Sequence, residues 1–243
     1  MARVSTGIVG LDEMLEGGFP HDRVILVRGG PGSGKTIFSL QFIVEGVKRG
    51  ERGIYVTLEE PLNLIQANVA SFGWNLEDFE KKGLVRLVDG SQLAYKSVGR
   101  TQYGGGEARP VITNVANQVK ELVKSTEAKR LAVDPITSAI IHQRFPTDKR
   151  LEILELVKVL RSMHCTSIIT SEFSSPSAEG DFYVEEYLAD GVIILSKTLR
   201  DFRVIKTVRV EKMRGARHDD QPRKYDIMDK GFVVYNTESI TVQ

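Results

Sequence analysis

Apolar residues recur along the chain in two rhythms. Short continuous runs have the length and β-branched content of strands buried on both faces: RVILVRG from Arg23, GIYVTL from Gly53, LVRLVD from Leu84, RLAVD from Arg130 and CTSIITS from Cys165. Between them lie stretches with helical spacing. KTIFSLQFIVEGVKRG places Ile37, Leu40, Ile43, Val44 and Val47 on one face, and Gly50 supplies a C-terminal stop. A second helix is expected to begin at Pro61, a third to run from about Ile112 to Ser125, and a fourth to occupy RLEILELVKVLRSM, Arg150 to Met163. This alternation predicts an α/β fold with a mainly parallel sheet flanked by helices. After Gly180 the rhythm changes. DGVIILS, RVIKTVRVEKM, KYDIM and GFVVY are strands joined by tight turns, which predicts an antiparallel C-terminal extension of the same sheet. No linker and no internal repeat interrupts the pattern, so one domain over residues 1–243 is expected. The run SQLAYKSVGRTQYGGGEARP, with Gly104 to Gly106, is expected to be a long mobile loop.

Charge narrows the function classes. The 33 basic and 32 acidic side chains leave a net charge of +1, which argues against a surface that permanently coats nucleic acid. The single cysteine, Cys165, lies in an apolar run; no internal disulfide can form, and a buried structural thiol is expected. The first residues lack a signal-peptide core, and no apolar run approaches the ~18 residues of a membrane span. The expectation is a soluble cytoplasmic protein.

The strongest chemical signal is GGPGSGKT, Gly29 to Thr36, which matches G-x-x-x-x-G-K-[ST] in full. It follows a strand and opens a helix. Backbone N–H groups of Gly30, Pro31's neighbours, Gly32, Ser33 and Gly34 are expected to cradle phosphate oxygens, aided by the positive end of the helix. Lys35 is expected to reach the β- and γ-phosphates, and Thr36 to ligate Mg²⁺. This predicts binding of ATP or ADP with Mg²⁺.

The metal needs an acidic anchor, and RLAVDP ends in Asp134. Pro135 follows it, so the adjacent position offers no carboxylate to activate water. GIYVTLEEP supplies two, Glu59 and Glu60, at the end of a strand expected to lie next to the phosphate-loop strand. Neighbouring strand residues face opposite ways, so Glu59 is assigned to orient the attacking water and Glu60 to a supporting or interface role.

These residues resemble the KaiC-like ATPases of the RecA superfamily. STGIVGLDEMLEGGFP resembles the family's N-terminal signature, VTLEEP with ASFGWNL its paired-glutamate region, and VEKMRGARHD, Val210 to Asp219, its K-x-R-G element. The resemblance covers nearly the whole chain and is to a single KaiC domain. It implies ring assembly, commonly of six subunits, with ATP between neighbours. It also implies that Lys212 and Arg214 reach the γ-phosphate bound by the next subunit, as an arginine finger does. By the same resemblance His218 would line the adenine side and Ser71 would approach the base or ribose. Glu186 and Tyr187 align with the serine/threonine pair phosphorylated in the clock protein's second domain, so a Ser/Thr autokinase cycle is not expected.

The leading expectation is a ring-forming, Mg²⁺-dependent ATPase that regulates or remodels a partner protein. One alternative is a DNA-binding recombinase-like ATPase using loops at IIHQRFPTDKR, with Arg144, Lys149 and Arg150, and at SSPSAEGDFYVEE. The second loop carries acids and no base, which disfavours backbone binding there. The other alternative is a nucleotide-gated scaffold with little hydrolysis.

Overall fold

The computed structural model describes residues 2–91, 111–140, 146–172 and 184–239. The loop at Gly104 to Gly106 and Arg144 lie outside the described residues, as do most of SSPSAEGDFYVEE and the middle of IIHQRFPTDKR. Among the described residues no helix is long and apolar enough to cross a membrane.

The elements follow in chain order as β1 (Arg3–Val4), α1 (Val9–Met14), β2 (Phe19–Pro20), β3 (Val24–Gly29), α2 (Lys35–Lys48) and β4 (Gly53–Thr57). Next come α3 (Leu62–Ala70), α4 (Leu76–Lys81), β5 (Val85–Asp89), α5 (Val111–Thr126), β6 (Arg130–Asp134), α6 (Thr137–Ile140) and α7 (Pro146–Arg161). The chain continues through β7 (Thr166–Glu172), α8 (Val184–Leu188), β8 (Gly191–Arg200), β9 (Arg203–Met213), β10 (Arg223–Met228) and β11 (Gly231–Ser239). The main sheet has the order β11-β10-β9-β8-β3-β7-β6-β4-β5. From β8 to β5 the strands run parallel, and β8 to β11 form antiparallel pairs. A short antiparallel pair, β1 with β2, stands apart.

Three sequence expectations shift. Strand β4 does not neighbour β3: β7 and β6 lie between them. Pro61 caps α3 and stands just before its first residue, with φ −58° and ψ 140°. Helix α7 starts at Pro146, ahead of Arg150, because the polar first turn carries no apolar stripe to announce it. Gly50 does close α2, at φ +76°.

Strand alternation sends apolar side chains to both faces. Ile25 and Val27 pack with Phe38, Leu40 and Phe42 of α2, while Val24 and Leu26 pack with Val119 of α5 and Ile153 and Leu156 of α7. Each such side chain contributes ~1.5–3 kcal/mol when fully buried. Cys165 is buried, and burial pushes its thiol up to about 12, which makes it a packing residue.

Arg130, at the start of β6, is fully buried and joins this sheet to the N-terminal segment. Its Nη1 donates to the carbonyls of Ser5 (2.8 Å) and Phe42 (2.9 Å), its Nε lies 2.5 Å from Glu51 Oε2, and its guanidinium sits 4.6 Å from the Phe42 ring centroid. Gly46 makes the room: a Cβ there would meet Arg130 Cδ at 2.5 Å. Replacing Arg130 by alanine removes its donors to the Ser5 and Phe42 carbonyls and the charged partner of Glu51, at ~1–3 kcal/mol in all, and leaves a cavity. Denaturant unfolding should show a loss of about 3 kcal/mol. A loss under ~0.5 kcal/mol, within the range of neutral surface changes, would show that the network holds nothing together.

Candidate active site

A cavity of about 500 Å³ opens at the C-terminal ends of the parallel strands. It is lined by Gly32, Gly34, Lys35, Thr36, Thr57, Glu59, Glu60, Asp134, Pro135 and Glu172. Ligands of open α/β sheets occupy this end.

The loop from Gly29 to Thr36 runs from β3 into α2. Gly34 caps α2 at φ +89°, and a Cβ on it would lie 2.6 Å from Ile227 Cδ1; both conformation and space call for glycine. From the far side, Tyr225 of β10 donates its hydroxyl to the Ser33 carbonyl at 2.7 Å, and Lys197 of β8 donates to the Pro31 carbonyl. The antiparallel extension therefore braces the loop. Burial, followed by the Asp226 charge, holds the Tyr225 hydroxyl well above its usual pKa and keeps it a donor. Lys35 Nζ donates to the carbonyls of Gly29 (3.0 Å) and Gly30 (3.3 Å) and stands 3.4 Å from Glu172 Oε1.

Asp134 ends β6 almost fully buried, at 4% exposure. Three hydroxyls converge on its carboxylate: Thr36 Oγ1 at 2.6 Å, Tyr55 OH at 2.7 Å and Thr170 Oγ1. Burial and then the Asp134 charge push the Tyr55 phenol well above its ordinary pKa, so it stays protonated and donates. A hydroxyl and a carboxylate held in contact at the loop's exit suit a hard cation that takes its remaining ligands from phosphate and water. No cluster of three or more histidine, cysteine or acidic residues able to cage a metal occurs among the described residues.

Strand β4 ends at Thr57, pairing with Asp134, and Glu59 and Glu60 follow on a bend. The expectation that strand alternation sends them to opposite faces therefore fails; both line the cavity. Their partners separate them instead. Glu59 Oε2 accepts from Ser138 Oγ at 3.0 Å, four residues beyond Asp134. Glu60 Oε1 accepts from Asn68 Nδ2 of α3 at 2.9 Å, and its carbonyl accepts from Thr57 Oγ1 at 2.7 Å.

Sequence reading missed Glu172, which ends β7, the strand that does neighbour β3 on this side. The signal was the one used for Glu59, an acid closing an apolar strand, in CTSIITSE. It also missed Tyr55, Thr170 and Tyr225, whose hydroxyls need partners in otherwise apolar surroundings.

Ser71 and His218 are not part of this cavity. Ser71 caps the end of α3 and donates to the Asn68 carbonyl at 3.2 Å; His218 follows β9, with Nδ1 3.4 Å from the Ala216 carbonyl. Lys212 and Arg214 also lie elsewhere. Met213 pairs with Gly191 and Gly191 with Ile25, so they sit level with the start of β3. Gly29 is four residues, or ~13 Å, further along that strand. Lys212 Nζ donates to the Glu186 carbonyl, and Arg214 Nη2 to the Tyr187 carbonyl at 3.0 Å. Burial, then the Arg214 charge, lowers the Lys212 pKa.

A second cavity, of about 740 Å³, lies at the opposite strand ends beside Arg52, Lys120, Lys124, Lys129 and His164. Though larger, it holds no part of the phosphate loop and none of the predicted site residues.

The family described as "ATPase: KaiC" matches residues 4–239. The chain belongs to this KaiC family of P-loop ATPases. A UPF0273 protein from Thermotoga maritima is 38% identical over 241 residues, 97% of each chain. The circadian clock protein KaiC3 of Synechocystis is 32% identical over 244 residues, 99% of this chain but 47% of the clock protein. The crystal structure of a KaiC-like protein from Pyrococcus horikoshii superposes with a TM-score of 0.80 at 34% identity, covering 96% of this chain and 99% of that one. The RecA-like sheet with its antiparallel C-terminal strands is thus the family's fold, and nucleotide binding at the glycine loop is the family's property.

Proposed function

We propose that this KaiC-family chain hydrolyses ATP with Mg²⁺ in a ring of identical subunits, each site completed by Lys212 and Arg214 of the next. The carrying observation is their position at the strand ends opposite the subunit's own phosphate loop. A heterologous, head-to-tail contact that closes on itself brings one end of each copy to the other end of its neighbour. The mutual crowding of the two cations, both directed at the Tyr187 carbonyl, would be relieved by an anion. Likeness to KaiC-like ATPases supports six subunits.

Within a site, loop N–H groups and Lys35 bind the phosphates, while Thr36 and Asp134 are the residues that would hold Mg²⁺. The metal would neutralise charge on the β- and γ-phosphates. Glu59, aligned by Ser138 beside Asp134, accepts a proton from and orients the attacking water; Glu60, held by Asn68, shapes the wall. Arg214 and Lys212 of the neighbour offset charge on the transferring phosphoryl group. Turnover in the cytoplasm then serves to regulate or remodel a partner protein.

Phosphate release from ATP tests this directly. It should fall to background when Mg²⁺ is chelated, and equally in Lys35→Ala. Turnover that survives both would assign hydrolysis to a different site.

A further inference from the structure

Arg28 and Ser171 each stand one residue before a group of the phosphate site, Gly29 and Glu172. Neither reaches into that site. Arg28, 1% exposed on β3, directs its guanidinium to the carboxylate of Glu186, and Ser171 Oγ of β7 donates to Glu185 Oε1 at 3.0 Å. Both acids belong to α8, a five-residue helix. A helix this short does not hold its place by its own hydrogen bonds.

The other side of α8 is occupied by cations acting on its main chain. Lys212 Nζ donates to the Glu186 carbonyl and lies 3.5 Å from that of Tyr187; Arg214 Nη2 donates to the Tyr187 carbonyl. Arg161 Nη2 donates to the Leu188 carbonyl at 2.9 Å. Just beyond the helix, Asp190 accepts from Arg161 at 2.7 and 3.1 Å and from the Val24 N–H at 3.1 Å, and its carbonyl accepts from Arg214 N–H at 2.8 Å. The small helix is thus clamped between β3 and β7 on one side and the Lys212–Arg214 pair on the other. Its position sets where that pair points.

We propose that Glu186 is a positioning residue for the neighbouring subunit's ATP site: by tying α8 to Arg28 it fixes the carbonyls that aim Lys212 and Arg214. Proximity alone suggests the reverse, a role at the subunit's own loop, since Arg28 adjoins Gly29. This inference rests on the reading that the two cations act between subunits. Without its carboxylate, Arg28 loses a charged partner in the interior and α8 loses its anchor. A displacement of ~1 Å at the cations is enough to lower turnover about 100-fold.

The test is phosphate release from mixed rings. Glu186→Gln alone should lower kcat about 100-fold, with the affinity for a fluorescent ATP analogue and the assembled mass unchanged. Mixed one to one with Lys35→Ala subunits, which lack a working loop but keep their cations, it should regain activity. About one site in four of a randomly mixed head-to-tail ring would then be intact on both sides. A reference mixture of Lys35→Ala with Arg214→Ala separates the two ideas. If the reference regains activity and the Glu186→Gln mixture does not, Glu186 serves its own site and this proposal is wrong. If neither regains activity, the shared site itself fails, and this proposal with it. Full activity of Glu186→Gln alone would also overturn it. Should that variant not assemble, Glu186→Asp enters the same mixture with the same two readings.

Discussion

Glu59→Gln is expected to lower turnover by about 10²–10⁴-fold while leaving nucleotide affinity within a factor of a few. General-base catalysis contributes on that scale, and glutamine keeps the size of the side chain but loses the charge. The contact with Ser138 persists in the variant, since an amide oxygen also accepts from a hydroxyl. The loss would therefore be chemical, with little structural component. Single-turnover phosphate release and nucleotide binding measured on the same preparation check this. Glu172→Gln is the counter-experiment, because Glu172 ends the strand beside the loop and faces Lys35. Unchanged turnover in Glu59→Gln, with a large loss in Glu172→Gln, would move the base to β7.

Arg214→Ala should be the more severe change, about 10³–10⁵-fold in turnover, the range of an arginine finger. Alanine removes a planar, permanently charged fork that lysine does not replace, so Arg214→Lys should recover only a small part. The isolated fold should tolerate the change. Arg214 is half exposed, its ion pair with Asp190 is long at 3.8 Å, and Asp190 keeps the closer partner Arg161. An unaltered unfolding midpoint beside a collapsed turnover is the expected signature. Turnover within tenfold of the parent would make KMRG an ordinary strand end.

Much of this was legible in the sequence because local chemistry specified it. Gly32 and Gly34 must turn left-handed, Lys35 and Thr36 follow at fixed offsets, and the buried, mostly apolar strand β6, RLAVD, ends in Asp134. Strand and helix rhythm gave the sheet, including its antiparallel edge. What stayed hidden is set by strand order, which no local pattern records. Placing β7 and β6 between β3 and β4 made Glu172 the near carboxylate and moved Glu59 outward. The three hydroxyls on Asp134 come from α2, β4 and β7, brought together only by folding. Glu59 and Glu60 fall outside the strand because β4 stops at Thr57, one residue before the end of the apolar run GIYVTL. The role of KMRG came from family resemblance; composition alone would make it a solvated edge.

The most direct measurement is phosphate release per subunit across a dilution series, with mass by light scattering on the same samples and Mg²⁺-ATP present. Activity that falls in step with the loss of a closed ring, and returns on reconcentration, is the result expected of a site built from two subunits. A monomer that keeps its full turnover would contradict it, and would leave Lys212 and Arg214 with no part in the chemistry.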